Sequence, residues 1–182
     1  MEWLNEPLKW NSRDRAIEVT SEGDTDFWRE THYGFIRDSG HFYYEKVTGD
    51  FIATVKVSGE YRDLYDQAGL MVRLDRYSWL KCGIELVEKV QQISAVVTRD
   101  YSDWSIVPMP TNPPAIWLRV TRQDSTIEIH YSLDNQKYTM LRMAYLTSAE
   151  TLEVGIMCAS PQGQGFTTIF EELEIKSLST QS

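Results

Sequence analysis

Apolar and polar residues alternate with a period of two along most of the chain. The pattern is clear in "FIATVKV" (51–57), "QAGLMVRL" (67–74), "WLKCGIELV" (79–87) and "ISAVVTR" (93–99). It returns in "IWLRVTR" (116–122), "TIEIHYS" (126–132), "LEVGIMC" (152–158) and "FTTIFEELEI" (166–175). Such alternation is the mark of half-buried strands. "VTGD", "LDRYS", "NPP", "LDNQ" and "SPQGQG" supply turn chemistry between them. No segment carries a helical period over three turns, and "TSAET" (147–151) opens a single turn at most. Many short strands at near-regular spacing predict an all-β sandwich or jelly roll, because each sheet must bury its apolar face on another.

The stretches 67–74 and 79–87 are expected to form an antiparallel hairpin. Ala68, Leu70, Val72 and Leu74 share one face of the first, and Leu80, Cys82, Ile84 and Leu86 one face of the second. Both sets reach one core only if even-numbered residues stand opposite even-numbered ones. That requires a loop of three or five residues centred near Tyr77. A slip by one residue would turn Lys81 and Glu85 inward. The other face then carries Gln67, Gly69, Met71 and Arg73 beside Trp79, Lys81, Gly83 and Glu85.

Lys81 and Glu85 are four residues apart. On a helix they would meet across about 6 Å; on a strand they lie roughly 13 Å apart. Their partners must come from neighbouring strands, water or a ligand. Gly83 between them lets something approach the backbone closely. The combination outlines a polar trough, although a solvated sheet face accounts for any one of these residues alone.

Two further stretches extend the trough. "RDYSDWS" (99–105) brings Ser102, Asp103 and Trp104 to a place where a strand gives way to a loop. Asp and Ser also favour turns by bonding their own backbone. Trp117 and Arg119 share a face of "IWLRVTR", and Arg119 stacked on a Trp ring would contribute about 0.5–2 kcal/mol.

Composition narrows the function classes. The 182 residues suit one domain, spanning 1–182, large enough to bury roughly 70% of its unfolded surface without a disulfide or metal. A net charge of −9 repels phosphate backbones and anionic lipid, which argues against nucleic-acid and membrane partners. No apolar run approaches the roughly 20 residues of a membrane helix. The start, "MEWLNEPLKWNSRDR", has no apolar signal core, so a cytoplasmic location is expected. Cys82 and Cys158, both on apolar sides of strands, are expected to be buried, reduced and unbonded to each other. His32, His41 and His130 lack metal-ligand spacing, and no zinc, EF-hand, P-loop or dinucleotide motif occurs; no metal or cofactor is expected.

The motifs "WLNEP", "DFW", "YDQAGLMVR", "WLKCGIE", "VVTRDYSDWS", "RVTR", "YSLDNQKY" and "SPQGQGF" resemble a family of unknown function. It takes its name from the fungal "regulation of enolase" protein and is placed in the concanavalin A-like superfamily. The resemblance runs from Trp3 to about Ile175, in the family's order. "LDN" at 133–135 departs from the commoner Asp-Gly hairpin turn, but Asn also tolerates positive φ. The resemblance implies a jelly roll of two antiparallel sheets, one concave, with ligands, often sugars, on the concave face. It marks Asp66, Gln67, Trp79, Lys81, Glu85, Ser102, Asp103 and Trp104 as distinctive positions and implies no established activity.

Three functions follow. The first is binding of a carbohydrate or small polyol on the concave face by Asp66, Gln67, Arg73, Trp79, Lys81, Glu85, Ser102, Asp103, Trp104 and Arg119. The second is a glycoside-processing enzyme using Glu85 and a second carboxylate, about 5–5.5 Å away for retention or roughly 6.5–9.5 Å for inversion. Asp66 and Asp103 are the candidates for that partner. "GIELVEKV" has Glu85 and Glu88 with no Asp between, so the tight acidic strand of laminarinase-like hydrolases is absent. The third is a regulatory domain that docks a protein partner through exposed aromatics. In a binder, Glu85 is expected to stay ionised beside Lys81, Arg73 or Arg119, since a cation within ~4–6 Å lowers a carboxylate pKa.

Overall fold

The computed structural model describes residues 1–178. One antiparallel sheet runs β1 (Glu2–Leu4), β6 (His41–Thr48), β15 (Thr151–Ala159), β8 (Gln67–Arg73), β9 (Ser78–Val87), β10 (Val90–Arg99) and β11 (Tyr101–Met109). The second runs β14 (Thr139–Tyr145), β13 (Thr126–Ser132), β12 (Ile116–Gln123), β7 (Phe51–Gly59), β16 (Thr167–Ser177), β3 (Ala16–Thr20) and β2 (Lys9–Arg13). A hairpin of β4 (Phe27–Arg29) and β5 (Ile36–Asp38) forms a separate two-stranded sheet. No helix occurs among the described residues.

The alternating strands do what their period requires. Leu70, Val72, Leu80, Cys82 and Ile84 face inward and join Val55, Val57, Leu118, Val120 and Phe170 of the opposite sheet in one apolar core. Each such side chain, fully buried, contributes about 1.5–3 kcal/mol relative to exposure. Leu70 stands opposite Cys82 and Met71 opposite Lys81, so even faces even as the pattern demands. The hairpin is symmetric about Arg76, one residue earlier than expected. Leu74 N–H donates to Ser78 O at 2.9 Å and closes the turn.

Two expectations change. "RDYSDWS" is strand on both sides of a tight turn at Asp100, not loop: β11 pairs with β10 from Gln91 to Arg99, with Val97 opposite Asp103 and Val96 opposite Trp104. The outer face of the first sheet is also not open. Phe27 and Trp28 of β4 pack onto Phe42, Met71, Trp79, Val96 and Met157 in a second apolar cluster. Both faces of β8 and β9 are therefore buried.

The two cysteines are free and buried. Cys82 stands opposite Leu70 and Cys158 opposite Ala68, on either side of β8. Two strand spacings put them about 10 Å apart, beyond disulfide reach. Burial pushes the Cys82 thiol up to about 12 and the Cys158 thiol up as well, so neither is a nucleophile at neutral pH.

Candidate functional site

The outer face of β8–β11 is laid out in cross-strand rows. Gln67 stands opposite Glu85, and Glu85 opposite Gln92. Gly69 faces Gly83, and Gly83 faces Ser94. Met71 faces Lys81, Lys81 faces Val96, and Val96 faces Trp104. The middle row of small residues is a trench between the Lys81 row and the Glu85 row. Gly69 and Gly83 approach so closely that a Cβ on Gly83 would lie 2.0 Å from Ala68 O and 2.7 Å from the Gly69 Cα. Neither position accepts a side chain without moving backbone.

Lys81, only 5% exposed, gives one hydrogen to Phe27 O at 2.6 Å and another to Asp26 Oδ1 at 3.2 Å. Asp26 Oδ1 also accepts from the Phe27 N–H at 2.7 Å and from Gln67 Nε2 at 3.4 Å. Lys81 thus spends its charge on the roof, and its third ammonium hydrogen has no hydrogen-bond acceptor among the described residues.

Glu85 is bound differently. Its Oε2 accepts from Ser94 Oγ at 2.6 Å and from Trp104 Nε1 at 2.9 Å. No cation lies within 4 Å, and Oε1 takes no donor among the described residues. Burial, the largest influence, pushes this carboxyl above its ordinary range. The Lys81 charge, the Ser94 bond and the Trp104 bond oppose the rise, and the Asp26 charge adds to it. Of the expected cations, Lys81 acts on Glu85 through its charge, but no guanidinium or ammonium bonds the carboxyl directly among the described residues.

Above these groups lies a cavity of about 120 Å³ between sheet and hairpin. Gln67, Lys81, Glu85 and Val96 form its floor, and Asp26 and Trp28 hang from above. Tyr33, Phe35, Tyr65 and Trp104 make an aromatic collar, with Asp24 and Arg37 on the exposed rim. Tyr33 and Phe35 stack with centroids 5.5 Å apart. The Tyr33 and Tyr65 hydroxyls meet at 3.2 Å, and Tyr65 lies edge-on to Trp104 at 6.2 Å. The bond to Tyr33, followed by burial, pushes the Tyr65 phenol up to about 12.

The ten residues singled out in the sequence fall into three groups. Gln67, Lys81, Glu85 and Trp104 line the cavity. Arg73, Trp79 and Ser102 share the face but hold the roof. Arg73 pairs with Asp38 at 2.9 Å and Glu153 at 3.5 Å; Trp79 packs on Phe27 at 6.1 Å; the Ser102 hydroxyl accepts from Arg29 N–H at 2.9 Å. Asp66, Asp103 and Arg119 lie elsewhere. Asp66 is fully buried and ties the backbone of Arg62 and Asp63 to the Ser160 hydroxyl. Asp103 follows Val97 to the other face of the sheet because neighbours on a strand point oppositely; there it meets Arg142 at 3.2 Å. Arg119 belongs to the second sheet and stacks on Tyr138 at 3.7 Å rather than on a Trp.

The sequence reading missed the roof. Asp26, Trp28, Tyr33, Phe35 and Tyr65 come from stretches without a period of two. A signal existed in "DFW" and "HYGFIR", a carboxylate and a run of aromatics with no apolar alternation to assign them to a core. Among the described residues, no three His, Cys, Asp or Glu side chains come together as a metal site.

Comparison with known proteins places this architecture. The carbohydrate-binding module CBM66 from Bacillus subtilis superposes with a TM-score of 0.61 at 10% identity, over 96% of this chain and 95% of that one. The GH43 protein BlXynB from Bacillus licheniformis gives a TM-score of 0.72 at 15% identity, over 95% of this chain and 36% of that one. The molecule is an all-β jelly-roll sandwich, an architecture it shares with carbohydrate-binding modules and with part of a larger glycoside hydrolase. It belongs to the family described as "Protein of unknown function (DUF1349)", whose model matches residues 3–178. It is 39% identical over 170 residues to "Regulation of enolase protein 1" of Saccharomyces cerevisiae, covering 93% of this chain and 86% of that protein. A crystal structure of a functionally unknown protein from Saccharomyces cerevisiae matches it with a TM-score of 0.94 at 38% identity, over 98% of this chain and 96% of that one. The motifs read in the sequence thus lead to the same family.

Proposed function

We propose that the protein binds a carbohydrate or other small polyol in the cavity between the first sheet and the β4–β5 hairpin. The observation that carries this reading is the set of unused polar positions under an aromatic collar. Among the described residues Glu85 Oε1 and one Lys81 hydrogen have no hydrogen-bond partner, and Gln67 lines the same cavity. A ligand hydroxyl accepts from Lys81 and donates to Glu85, while the collar covers an apolar ring face. The cavity is smaller than the roughly 300–1,000 Å³ of drug-sized pockets, which suits one ring or one chain end. The likeness to a carbohydrate-binding module supports the fold for such a role and no particular sugar.

The test is ligand-observed NMR with monosaccharides and sugar alcohols, followed by titration calorimetry on wild type and Glu85→Gln. Saturation transfer to at least one polyol is expected, with a calorimetric affinity that varies with pH in the wild type and no longer does in Glu85→Gln. Absence of transfer from every polyol removes the reading.

One observation favours a hydrolytic function as the second reading. Glu85 is a carboxyl kept protonated to higher pH by burial, and Asp26 is a nearby carboxylate held by a cation. Carboxyls in such different surroundings can divide acid and base roles. Release of nitrophenol from aryl glycosides, lost in Glu85→Gln, would establish it.

A further inference from the structure

We propose that the cavity's ligand is a cationic polyol, an amino sugar or amino alditol, whose ammonium binds Glu85 Oε1 inside the aromatic collar. This rests on the polyol reading above and names the ligand class of that same site.

The charges around the cavity lead to it. Asp26 and Lys81 neutralise one another across 3.2 Å. At the exposed rim, Arg37 lies over the Phe35 ring at 5.7 Å, and Asp24 lines the same cavity. These two opposite charges balance to first order and are screened by water. Glu85 remains. It is 7% exposed, lines the cavity, and has neutral donors on one oxygen and none on the other. The groups that face it are Lys81 on its own strand, Asp26 from the roof and Tyr65 from the preceding loop, whose phenol stays neutral. The interior therefore carries one carboxyl group, Glu85, with no directly paired cation among the described residues.

Filling the cavity expels water and makes that carboxylate costlier to keep ionised. A neutral polyol leaves the problem in place and must bind with Glu85 protonated. An anionic sugar worsens it, because Lys81 is already engaged by Asp26 and Phe27. An ammonium removes it with a charge-assisted hydrogen bond. The collar points to the same chemistry independently. Tyr33, Phe35, Tyr65 and Trp104 line the same cavity as Glu85, and aromatic rings attract ammonium groups through their faces. The trench beneath, over Gly83, holds only about 10 Å³, no more than one water, so the ligand occupies the cavity above it.

The two ligand types couple to protons with opposite sign. A cationic polyol needs Glu85 ionised, so its affinity rises as pH rises through the Glu85 titration. A neutral polyol needs Glu85 protonated, so its affinity falls over the same range.

The experiment compares glucamine with sorbitol, which differ only in one amino group for one hydroxyl, by calorimetry on the full chain at several pH values. Near neutral pH, glucamine is expected to bind about tenfold or more tightly than sorbitol, with the preference shrinking as pH falls. Glu85→Gln is expected to reduce the preference to about twofold without abolishing sorbitol binding. Phe35→Leu, on the exposed collar, is expected to weaken glucamine more than sorbitol and checks the cation–ring term in a variant that leaves the floor intact. Sorbitol binding as well as glucamine, or better, overturns the cationic ligand while leaving the polyol site standing. Binding of neither overturns both.

Discussion

The two faces of β8 and β9 bury almost the same number of side chains by different means. The inner face meets a whole second sheet, and Leu70, Val72, Leu80, Cys82 and Ile84 need nothing but apolar partners. The outer face meets a short hairpin that shares no ladder with the sandwich. There Met71 and Trp79 pack on Phe27, but Lys81 and Arg73 also reach up to Asp26 and Asp38. The inner face is secured by area, which is non-directional. The outer face is secured at a few directed contacts, and these leave a cavity where packing would otherwise close it.

This contrast can be broken or sharpened by experiment. The largest effect is expected from Leu70→Ala on the inner face. Loss of about 2–5 kcal/mol in urea unfolding is expected, with roof and sheet melting together. Lys81→Met comes next. It leaves the Asp26 carboxylate without its cation and should cost about 1–3 kcal/mol. Its signature is local: the Ser39 and Gly40 amides, which donate to Asp26 O at 2.9 Å, lose protection from hydrogen exchange while the Leu70 and Val72 amides keep theirs. Uniform loss of protection across both regions would show that the faces are not separately secured.

A smaller effect is expected at Glu85. Its carboxyl is raised in the folded state, so between the ordinary carboxylate range and the raised value the native chain holds more protons than the unfolded one. Stability from this group is present at low pH and declines as pH rises through that window. Thermal melts of Glu85→Gln against wild type should show the variant gaining relative stability with rising pH. The opposite slope would mean that Glu85 is charged and paired. The smallest effects are expected outside the cavity. Arg119→Ala loses one ring contact at 3.7 Å, worth about 0.5–1 kcal/mol. Asp103→Ala, whose carboxylate is mostly exposed at the Arg142 pair, should change stability by less than about 0.5 kcal/mol. Neither should alter polyol binding.

The same contrast explains what was legible beforehand. The inner face could be read because a period of two has one interpretation once an apolar core is required. The parity of Leu70 and Cys82 followed, and with it the shared face of Lys81, Gly83 and Glu85. The outer face could not be completed. Nothing in the alternation says that residues 24–40 fold back over β9, because that segment is held by Asp26, Asp38 and two aromatic side chains rather than by a repeating pattern. Asp103 was misplaced for a local reason. "DYSDWS" looks like turn chemistry, yet pairing with β10 overrides it, and the strand sends Asp103 and Trp104 to opposite sides. Arg119 shares the parity of an outward residue but lies in the other sheet, a distinction that one strand's sequence does not contain.

The separateness of the β4–β5 hairpin has a consequence for how such a molecule can be altered. Its main-chain hydrogen bonds are satisfied mostly within itself, as in Glu30 N–H to Phe35 O and Gly34 N–H to Glu30 O. It reaches the sandwich through side chains, the Phe27 carbonyl and the Arg29 N–H, not through strand pairing. The fourteen strands below can therefore keep their registers while the residues from 30 to 36 are exchanged or lengthened. That makes the segment a graft point. A library varied at Tyr33, Phe35 and Arg37 alone would re-tailor the rim of the cavity while Lys81 and Glu85 stay fixed in the rigid sheet beneath, much as a changeable faceplate is fitted over one socket.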